Sequence, residues 1–351
     1  MAWIGASVRA CAAWVAVTAL AVACGGSSAG SPGSGPDVVR IGYPVTTLIN
    51  GQIGQVLART NILDLNGLKG TLVPFTAGPA TNDALAAGSI DVGLTSEGPA
   101  ALGISQGLPV EVVATFGTTR DALLVPRDSK VRGAADLRGK SIGVPFGTTP
   151  FLHLSSWLGS QGLDAARDVQ LVNIGADVLA SALATGQVQA VEYNEPLPTQ
   201  LERTAGARTI SSDELAYATL ARRDFLQAHR DAARRLMIAF AEAGIYMERN
   251  QALVDGWFAS VSRADPAVIH EASLRTAVYA ETRTPPQIDF GLSSDFVQRL
   301  QRNADFFANQ KLIKSAARMR GAVDTGLWRE AAGALASARF DPAEVKVVRS
   351  P

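Results

Sequence analysis

The sequence predicts an α/β fold of two similar lobes, because a short segment is repeated and predicted strands alternate with predicted helices. Residues 84–92 read ALAAGSIDV and residues 182–190 read ALATGQVQA, so that apolar and polar positions nearly coincide. In each copy the alanine-rich run indicates the end of a helix, the glycine its left-handed stop, and the alternating residues a strand. A polar loop follows each copy, at 95–99 and 193–196. We therefore expect two α/β lobes that face one cleft.

The first part of the chain is typical of a parallel α/β lobe. Alternating apolar residues at 38–43 predict a strand, and a hydroxyl-containing loop leads from it into a helix at about 50–60. The same reasoning predicts strands at 71–75, 90–94 and 110–116, helices at 81–87 and 99–106, and then a crossing strand at 121–126.

A second series of strands and helices begins near residue 141. We expect a strand at 141–145, a turn at 147–149, and a helix that starts at Pro150, since proline is favoured in the first helical turn. A strand at 169–174 and the repeated helix and strand follow, and residues 207–210 return the chain to the first lobe. The rest predicts mainly helices, near 229, at 265–279, at 294–309 and at 325–338. These elements assign 37–120 and 212–351 to lobe 1 and 121–211 to lobe 2, with crossing segments near 117–121 and 206–211.

The amino terminus predicts export and a lipid anchor. Arg9 is the only charged residue before Asp37, and an apolar run from 10 to 23 is typical of a signal peptide rather than of a full membrane span. The residues LAVAC that end at Cys24 resemble a bacterial lipoprotein box, with ordinary cleavage or an uncleaved anchor as the alternatives. Residues 25–36 contain only Gly, Ser, Ala and Pro, which is typical of a flexible tether. We expect a signal at 1–23, a tether at 24–36 and an extracytoplasmic, lipid-anchored body.

Composition excludes several classes of protein. Removal of residues 1–23 takes away one of 32 Lys and Arg residues and leaves 31 against 32 Asp and Glu residues, so no concentrated basic face for nucleic acid is expected. Cys11 leaves with the signal and Cys24 carries the lipid, so we expect no disulfide and no cysteine metal site or nucleophile. His153 is interpreted as a packing or surface residue rather than a general base. We expect no catalytic residue, no metal ion, no cofactor and a monomeric body.

Four segments taken in order resemble a known family. They are residues 137–144, 147–149, 182–186 and 195–196. Together they are similar to the solute-binding proteins of ABC importers for aliphatic sulfonates, taurine, nitrate and thiamine-pyrimidine precursors, over about residues 38–250. The resemblance implies a periplasmic-binding-protein type II fold with two crossing segments and a helical carboxyl-terminal part. It also implies a small-molecule solute, hinge closure, and a permease with its ATPase as partners.

The candidate ligand site consists of polar loops at the predicted strand ends. Helix amino termini carry unsatisfied N–H groups and a partial positive charge, so hydroxyl-rich or glycine-rich turns there can bind an anionic or polar ligand. Open α/β sheets also bind ligands at this edge. The alternative is that the Thr and Ser side chains only cap their helices. The candidate residues are Thr46, Thr47, Ser96, Glu97, Thr118, Thr119, Gly147, Thr148, Thr149, Tyr193 and Glu195.

Acidic residues in these loops bear on the ligand's charge. Glu97, Glu192 and Glu195 lie in or beside them, and a carboxylate would disfavour a simple anion but would favour an ammonium or a ring N–H. We therefore expect a zwitterionic ligand or one with hydrogen-bond donors, with solvated rim charges as the alternative interpretation of each glutamate. Arg120 is a candidate for the matching cation.

Two other functions remain open at this point. One is a sensing or scaffold lipoprotein that never passes solute to a transporter. The other is an enzyme of the thiamine-pyrimidine synthase type, which shares the implied fold. Those enzymes are similar to one another in a cysteine-rich iron-binding stretch, and this sequence has no cysteine after residue 24. The enzyme is therefore the less favoured of the two.

Overall fold

One long strand, β9, passes through both halves of a single sheet in the computed structural model. The structure describes residues 37–276, 288–337 and 340–348. Within them the nine-stranded sheet has the order β2-β1-β3-β9-β5-β8-β6-β7, and β4 pairs with β9 beside this path. The strands are β1 Asp37–Pro44, β2 Leu68–Phe75, β3 Val92–Ser96, β4 Val110–Ala114, β5 Thr118–Val125, β6 Ser141–Val144, β7 Gln170–Asn173, β8 Ala190–Asn194 and β9 Arg208–Arg222.

The helices cover both faces of the sheet and form the carboxyl-terminal part of the chain. The described residues contain α1 Leu48–Arg59, α2 Ile62–Leu65, α3 Gly78–Ala86, α4 Glu97–Ser105, α5 Thr149–Ser160, α6 Leu179–Ala184, α7 Leu197–Ala205, α8 Arg223–Ala228, α9 Arg230–Arg249, α10 Gln251–Ser262, α11 Pro266–Leu274, α12 Ser294–Asn309 and α13 Thr325–Ser337. None of the helices in these ranges combines the length and the hydropathy that a membrane crossing requires.

Strand pairing divides the sheet into two halves. In the first half-sheet, β1 pairs in parallel with β2 and β3, and the carboxyl half of β9 pairs antiparallel with β3 and β4. In the second half-sheet, the amino half of β9 pairs antiparallel with β5, which pairs antiparallel with β8, and β6 lies parallel to β8 and β7. The register places Thr118 opposite Ala216 and Val125 opposite Arg208. The fold is the predicted α/β type, and the lobe limits at 120 and 212 stay predictions.

Each half-sheet has apolar clusters on its two faces. In the first half, one cluster packs β1 and β3 against α1 and α9, and another packs β4 and β9 against α3, α4 and α12. In the second half, one cluster packs β5 and β6 against α5, and another packs β5 and β8 against α6 and α7. We call the cluster beneath α5 the α5 core and the cluster beneath α4 the α4 core.

The repeated segment has the structure that its pattern predicts. Helix α3 ends at Ala86 and β3 begins at Val92, while α6 ends at Ala184 and β8 begins at Ala190. Gly88 and Gly186 lie between them with φ angles of 67° and 75°, a region that residues with a Cβ rarely adopt. The two copies occupy equivalent positions in the two half-sheets.

Several predicted limits shift in the structure. The strand expected at 90–94 is β3, which lies two residues later, and the helix expected from 99 begins at Glu97. Residues 118 and 119 begin strand β5, so the prediction that they form a loop is wrong. Helix α11 ends at Leu274, and the last part of the helix expected at 265–279 lies outside the described residues. The signal, the tether and Cys24 also lie outside them.

Candidate functional site

Helices α1, α4 and α5 of the candidate site begin directly after strands or turns. The residues that precede them differ in whether their side chains cap the helix. Thr47 and Ser96 precede α1 and α4 in extended conformation, but neither side chain accepts a hydrogen bond from its helix. The Thr148 hydroxyl caps α5 by accepting from the Phe151 N–H at 3.4 Å, and it donates to the Pro145 carbonyl at 2.6 Å. Capping therefore accounts for Thr148 and fails for Thr47 and Ser96.

Thr149 joins the amino termini of α4 and α5. Its hydroxyl donates to the Ser96 hydroxyl at 3.0 Å and accepts from the Gly98 N–H at 2.9 Å. A Cβ on Gly98 would lie 2.7 Å from the Thr149 Oγ1 and 2.9 Å from its Cα, so only glycine permits this approach. Gly147 has a φ of 74° and forms the turn that starts α5. The predicted loops at 96–97 and 147–149 are therefore in contact across the two half-sheets.

The amino terminus of α1 lies against both half-sheets. The Thr46 hydroxyl lies 3.1 Å from the Tyr193 hydroxyl of β8. The Asn50 side-chain N–H donates to the Thr95 carbonyl of β3 at 2.8 Å, and the Ile49 N–H donates to the Tyr217 hydroxyl at 3.4 Å. Burial raises the pKa of Tyr193 to about 12, so its hydroxyl keeps its proton. The loops that precede α1, α4 and α5 thus meet at one place between the half-sheets.

A cavity of about 530 Å³ opens beside this meeting point. Val45, Thr46 and Thr76 line it from the first half of the chain, and Tyr193 lines it from β8. Residues 176–178, 196–197 and 261–264 complete most of the wall. The cavity gives a small molecule a route to the edge where Thr46 contacts Tyr193.

Glu97 is buried and already paired with a cation. Its carboxylate accepts from Arg299 of α12 at 2.8 and 2.6 Å and from the Ala216 N–H at 3.2 Å. The sequence-based hypothesis that Glu97 binds a donor on the ligand therefore does not fit, because its oxygens are taken up by protein donors. The pairing was missed because Arg299 lies about 200 residues away in a helix that matched only a generic pattern.

Glu195 is likewise an internal ion-pair partner. Arg120 donates to its Oε1 at 2.7 Å, and the Thr199 N–H donates to its Oε2 at 3.2 Å. Arg120 also donates to both carboxylate oxygens of Glu202 at 2.9 Å. Arg120 and Glu195 neutralise each other. The structure therefore supports neither a ligand contact for Glu195 nor a free cation at Arg120.

A buried group of acidic residues around His153 is the main feature that the sequence did not reveal. The His153 Nδ1 lies 2.8 Å from the Asp121 Oδ2, and its Nε2 lies 3.9 Å from the Glu97 Oε1. Burial opposes the charged imidazolium, but the hydrogen bond to Asp121 and the charges of Asp121, Asp213 and Glu97 give His153 a raised pKa. Burial and the neighbouring Asp121 and Asp213 raise the pKa of Glu192 well above its usual range.

The acidic side chains around His153 come together because side chains alternate between the two faces of the sheet along the paired strands β5 and β8. Asp121 lies in β5 and Glu192 in β8, and both side chains fall on the face that α5 covers, where His153 projects. Both carboxyl groups are almost fully buried. His153 is therefore a buried hydrogen-bonded residue, as its packing interpretation predicted.

Several buried acceptor atoms near the loops have no hydrogen-bond partner within the described part of the chain. They include the Asn50 Oδ1 at the start of α1. The Asp121 and Glu192 carboxyl groups do not belong to this set, because they share a hydrogen bond beneath α5. The Thr47 and Thr95 hydroxyls are also buried without a partner there. Buried polar atoms normally find partners, so these atoms mark where a bound molecule can supply hydrogen bonds.

The other predicted site residues take different positions. Thr118 and Thr119 lie in strand β5 and precede no helix, so they do not form a helix-terminus loop as expected. Thr119 is nevertheless buried and lies beside the Tyr217 hydroxyl. In the described ranges, no three His, Cys, Asp or Glu side chains are arranged to hold a metal ion.

This fold is that of the two-lobed α/β proteins of the periplasmic-binding-protein type. The chain belongs to the NMT1-like family, whose model matches residues 34–255. The putative aliphatic sulfonates-binding protein of Escherichia coli K12 is 25% identical over 298 residues, which cover 80% of this chain and 86% of that protein. The alkanesulfonate-binding protein SsuA of Xanthomonas axonopodis pv. citri, solved with MOPS, is 26% identical with a TM-score of 0.69, and the match covers 83% of this chain and 99% of SsuA.

The same fold also occurs in an enzyme. The desulfurization enzyme DSZB matches with a TM-score of 0.62 and 17% identity over 85% of this chain and 99% of its own. At that identity the likeness concerns the fold alone. Fold similarity therefore does not distinguish a binding protein from an enzyme.

Proposed function

We propose that this protein is the extracytoplasmic solute-binding component of an ABC importer. The observation that carries the proposal is the meeting of the α1, α4 and α5 loops between the two half-sheets, through Thr46 with Tyr193 and Thr149 with Ser96. Relatives that bind sulfonates share both the fold and most of the chain length. A small polar molecule bound at this place would touch both halves.

The proposed ligand has an anionic or strongly polar group together with hydrogen-bond donors. The starts of α1 and α4 carry a partial positive charge that favours an anion such as a sulfonate. The Ile49 and Gly98 N–H groups of these helices already donate to the Tyr217 and Thr149 hydroxyls, so the anion is assigned to the positive helix ends and not to these two donors. The unpartnered Oδ1 of Asn50 accepts hydrogen bonds and would favour an amine or a ring N–H. Because Arg120 and Arg299 are paired with carboxylates, we do not assign the anion to a guanidinium.

The proposed mechanism is hinge closure between lobe 1, residues 37–120 and 212–351, and lobe 2, residues 121–211. The rotation would be absorbed where the two crossing strands pass between the half-sheets, near the predicted segment 117–121 in β5 and near Ala216 and Tyr217 in β9, where β9 changes its partner from β5 to β3. The crossing segment predicted at 206–211 lies instead at the far end of the second half-sheet. A ligand that contacts both lobes only in the closed form binds that form more tightly and shifts the population toward it. The permease would then recognise the closed form, and its ATPase would drive release.

We also propose that Cys24 carries a lipid that anchors a monomeric body to the membrane through the tether at 24–36. The lipoprotein box and the Gly, Ser, Ala and Pro composition of the tether support this proposal. Mass spectrometry of the amino-terminal peptide from the membrane fraction tests it. An unmodified Cys24 in that fraction would contradict the anchor.

We propose binding rather than catalysis because, within the described residues, His153 makes its hydrogen bond and ion pairs with carboxylates and not with a nucleophilic hydroxyl or thiol. Its two ring nitrogens face the carboxylates of Asp121 and Glu97, and general-base catalysis requires a hydroxyl, thiol or water within hydrogen-bond reach. The alternative of a sensing or scaffold lipoprotein would retain ligand binding without transport. Ligand uptake into vesicles that contain the permease separates these two functions.

A thermal-shift screen of alkanesulfonates, taurine, nitrate, pyrimidines and amino acids tests the binding function. A true ligand at a hundredfold its dissociation constant should add about 2.7 kcal/mol of stability. Thr47→Val should lower the affinity for that compound about tenfold, which is about 1.4 kcal/mol, while Thr71→Val on the exposed part of β2 should not. If no compound of these classes stabilises the protein, the proposed function is wrong.

A further inference from the structure

Helix α12 contacts the cores of both half-sheets. Phe296, Leu300 and Ala304 lie in the α4 core of the first half. Phe307, only three residues further along the same helix, is fully buried in the α5 core of the second half. The helix therefore does not belong to one half alone.

The length and the spacing of α12 explain how it reaches both cores. Sixteen residues give a helix about 24 Å long. Residues 296, 300, 304 and 307 recur at intervals of three or four, so they form one apolar stripe along it. The amino-terminal part of that stripe packs against α4 and its last residue reaches the core beneath α5.

The chain that follows α12 repeats this double contact. Ile313 is buried in the α5 core, and Met319 and Ala322 return to the α4 core. The Gln301 side chain fixes the return, because it accepts from the Met319 N–H at 3.0 Å and donates to the Ala317 carbonyl at 3.1 Å.

Arg299 adds a polar link in the middle of α12. Besides the Glu97 carboxylate at the start of α4, its guanidinium donates to the Glu214 carbonyl. Glu214 lies in the amino half of β9, opposite Arg120 of β5. Arg299 therefore connects an element of the first half-sheet with an edge of the second.

We infer that residues 294–322 form a strap, an apolar connection between the halves in addition to the crossing strands β5 and β9 and to the polar contacts described above, which restrains opening of the cleft. Separation of the halves requires Phe307 and Ile313 to leave the α5 core, and this exposes apolar surface to water. The strap therefore limits how far the ligand-free protein opens. The inference rests on the hinge motion proposed above, but it concerns the protein without ligand.

Small-angle X-ray scattering of the ligand-free full chain tests the strap. Phe307→Leu should increase the radius of gyration, and hydrogen exchange should become faster in α5 and in the last turn of α12. Phe296→Leu is the matched control on the same helix, because it loosens only the α4 core and should leave the radius of gyration unchanged.

Ile313→Ala gives an independent measurement if Phe307→Leu fails to fold, since Ile313 belongs to the same core but lies outside the helix. The strap is overturned if folded Phe307→Leu or Ile313→Ala protein has the radius of gyration of the wild type, or if Phe296→Leu increases it equally. A failed ligand screen would contradict the proposed function and would leave this result unaffected.

Discussion

At the scale of single residues, three buried groups around α5 bind protons more tightly in the folded protein. The pKa values of Glu192 and Asp121 are raised, chiefly by burial, and the pKa of His153 is raised by its acidic neighbours against the effect of burial. A group with a raised folded pKa stabilises the fold below its unfolded pKa and loses that contribution as the pH rises through the folded value. The three groups therefore act in the same direction, and stability at this cluster falls as the solution becomes more alkaline.

Glu192→Gln should make the protein more stable at pH 8 and change little at pH 5. The glutamine stays neutral at both values, so it avoids the cost of a buried carboxylate and can still donate a hydrogen bond to Asp121. Urea denaturation at the two pH values measures the difference. Asp128→Asn, at an exposed position, is the control, and an equal effect of both substitutions at pH 8 would argue against the cluster.

The sequence predicted the positions of the helix starts better than it predicted the partners of their charged side chains. Thr46, Thr47, Ser96 and Thr149 lie at or just before helix starts, which have a local signature when they follow strands, and their role in ligand binding stays a prediction. The pairing of Glu97 with Arg299 and of Glu195 with Arg120 was not found. A salt bridge depends on which distant segments the fold brings together, and one sequence does not contain that information.

At the scale of elements, the contact between α4 and α5 depends on the absence of a side chain at Gly98. Gly98→Ala should destabilise the protein by about 1–3 kcal/mol, because the new Cβ would overlap Thr149 and force the helices apart. Gly159→Ala in α5 is the matched control, since a Cβ there meets nothing within 4 Å and alanine should add up to about 1 kcal/mol.

Thermal denaturation of both glycine variants measures these changes, and titration with a ligand from the screen adds a second readout. Binding should weaken in Gly98→Ala and stay unchanged in Gly159→Ala. Two variants that behave alike in both measurements would show that the close approach of α4 and α5 is not needed.

Elements with strong local patterns were predicted well. Helix 294–309 agrees with α12 at both ends, and the repeated helix, glycine and strand occur in both halves. Thr118 and Thr119 were misassigned because a hydroxyl pair after a glycine is typical both of a turn and of the first residues of a strand. The long β9 was predicted only as the short segment 207–210, since its exposed residues 212–214 interrupt the apolar pattern.

At the scale of the whole molecule, an ionic network joins α7 beside the second half-sheet to α11. Arg275 donates to Glu202 at 3.1 Å and to Glu271 at 2.6 Å, and Arg203 donates to Glu271 at 3.0 Å. Burial favours the neutral acid, but hydrogen bonds from Arg120, Thr209 and Arg275 lower the pKa of Glu202 to about 2. The contribution of Glu202 is therefore present above its ordinary pKa and is lost as the pH falls towards about 2.

Arg275→Gln should increase the radius of gyration of the ligand-free protein at low salt and lower its unfolding free energy by less than about 1 kcal/mol, because the pairs are partly exposed. In the wild type, 1 M salt should produce a similar expansion, since it screens these charges. Arg167→Gln, which affects only an exposed pair with Asp164, is the control for scattering. If 1 M salt does not change the radius of gyration of the wild type, this ionic network does not hold the ligand-free protein compact.

The shared strand β9 has a consequence for how the chain acquires its structure. In the described sheet, β4 pairs with β9, and β9 is also one of the two strands that pair with β5. The second half-sheet cannot complete its pairing until residue 216 is available and the first cannot until residue 222, although β1 to β4 are synthesised more than a hundred residues earlier. Early segments must therefore wait for a late partner, and such distant pairings make folding slow. Substitutions in β9 should consequently delay both halves together rather than one after the other.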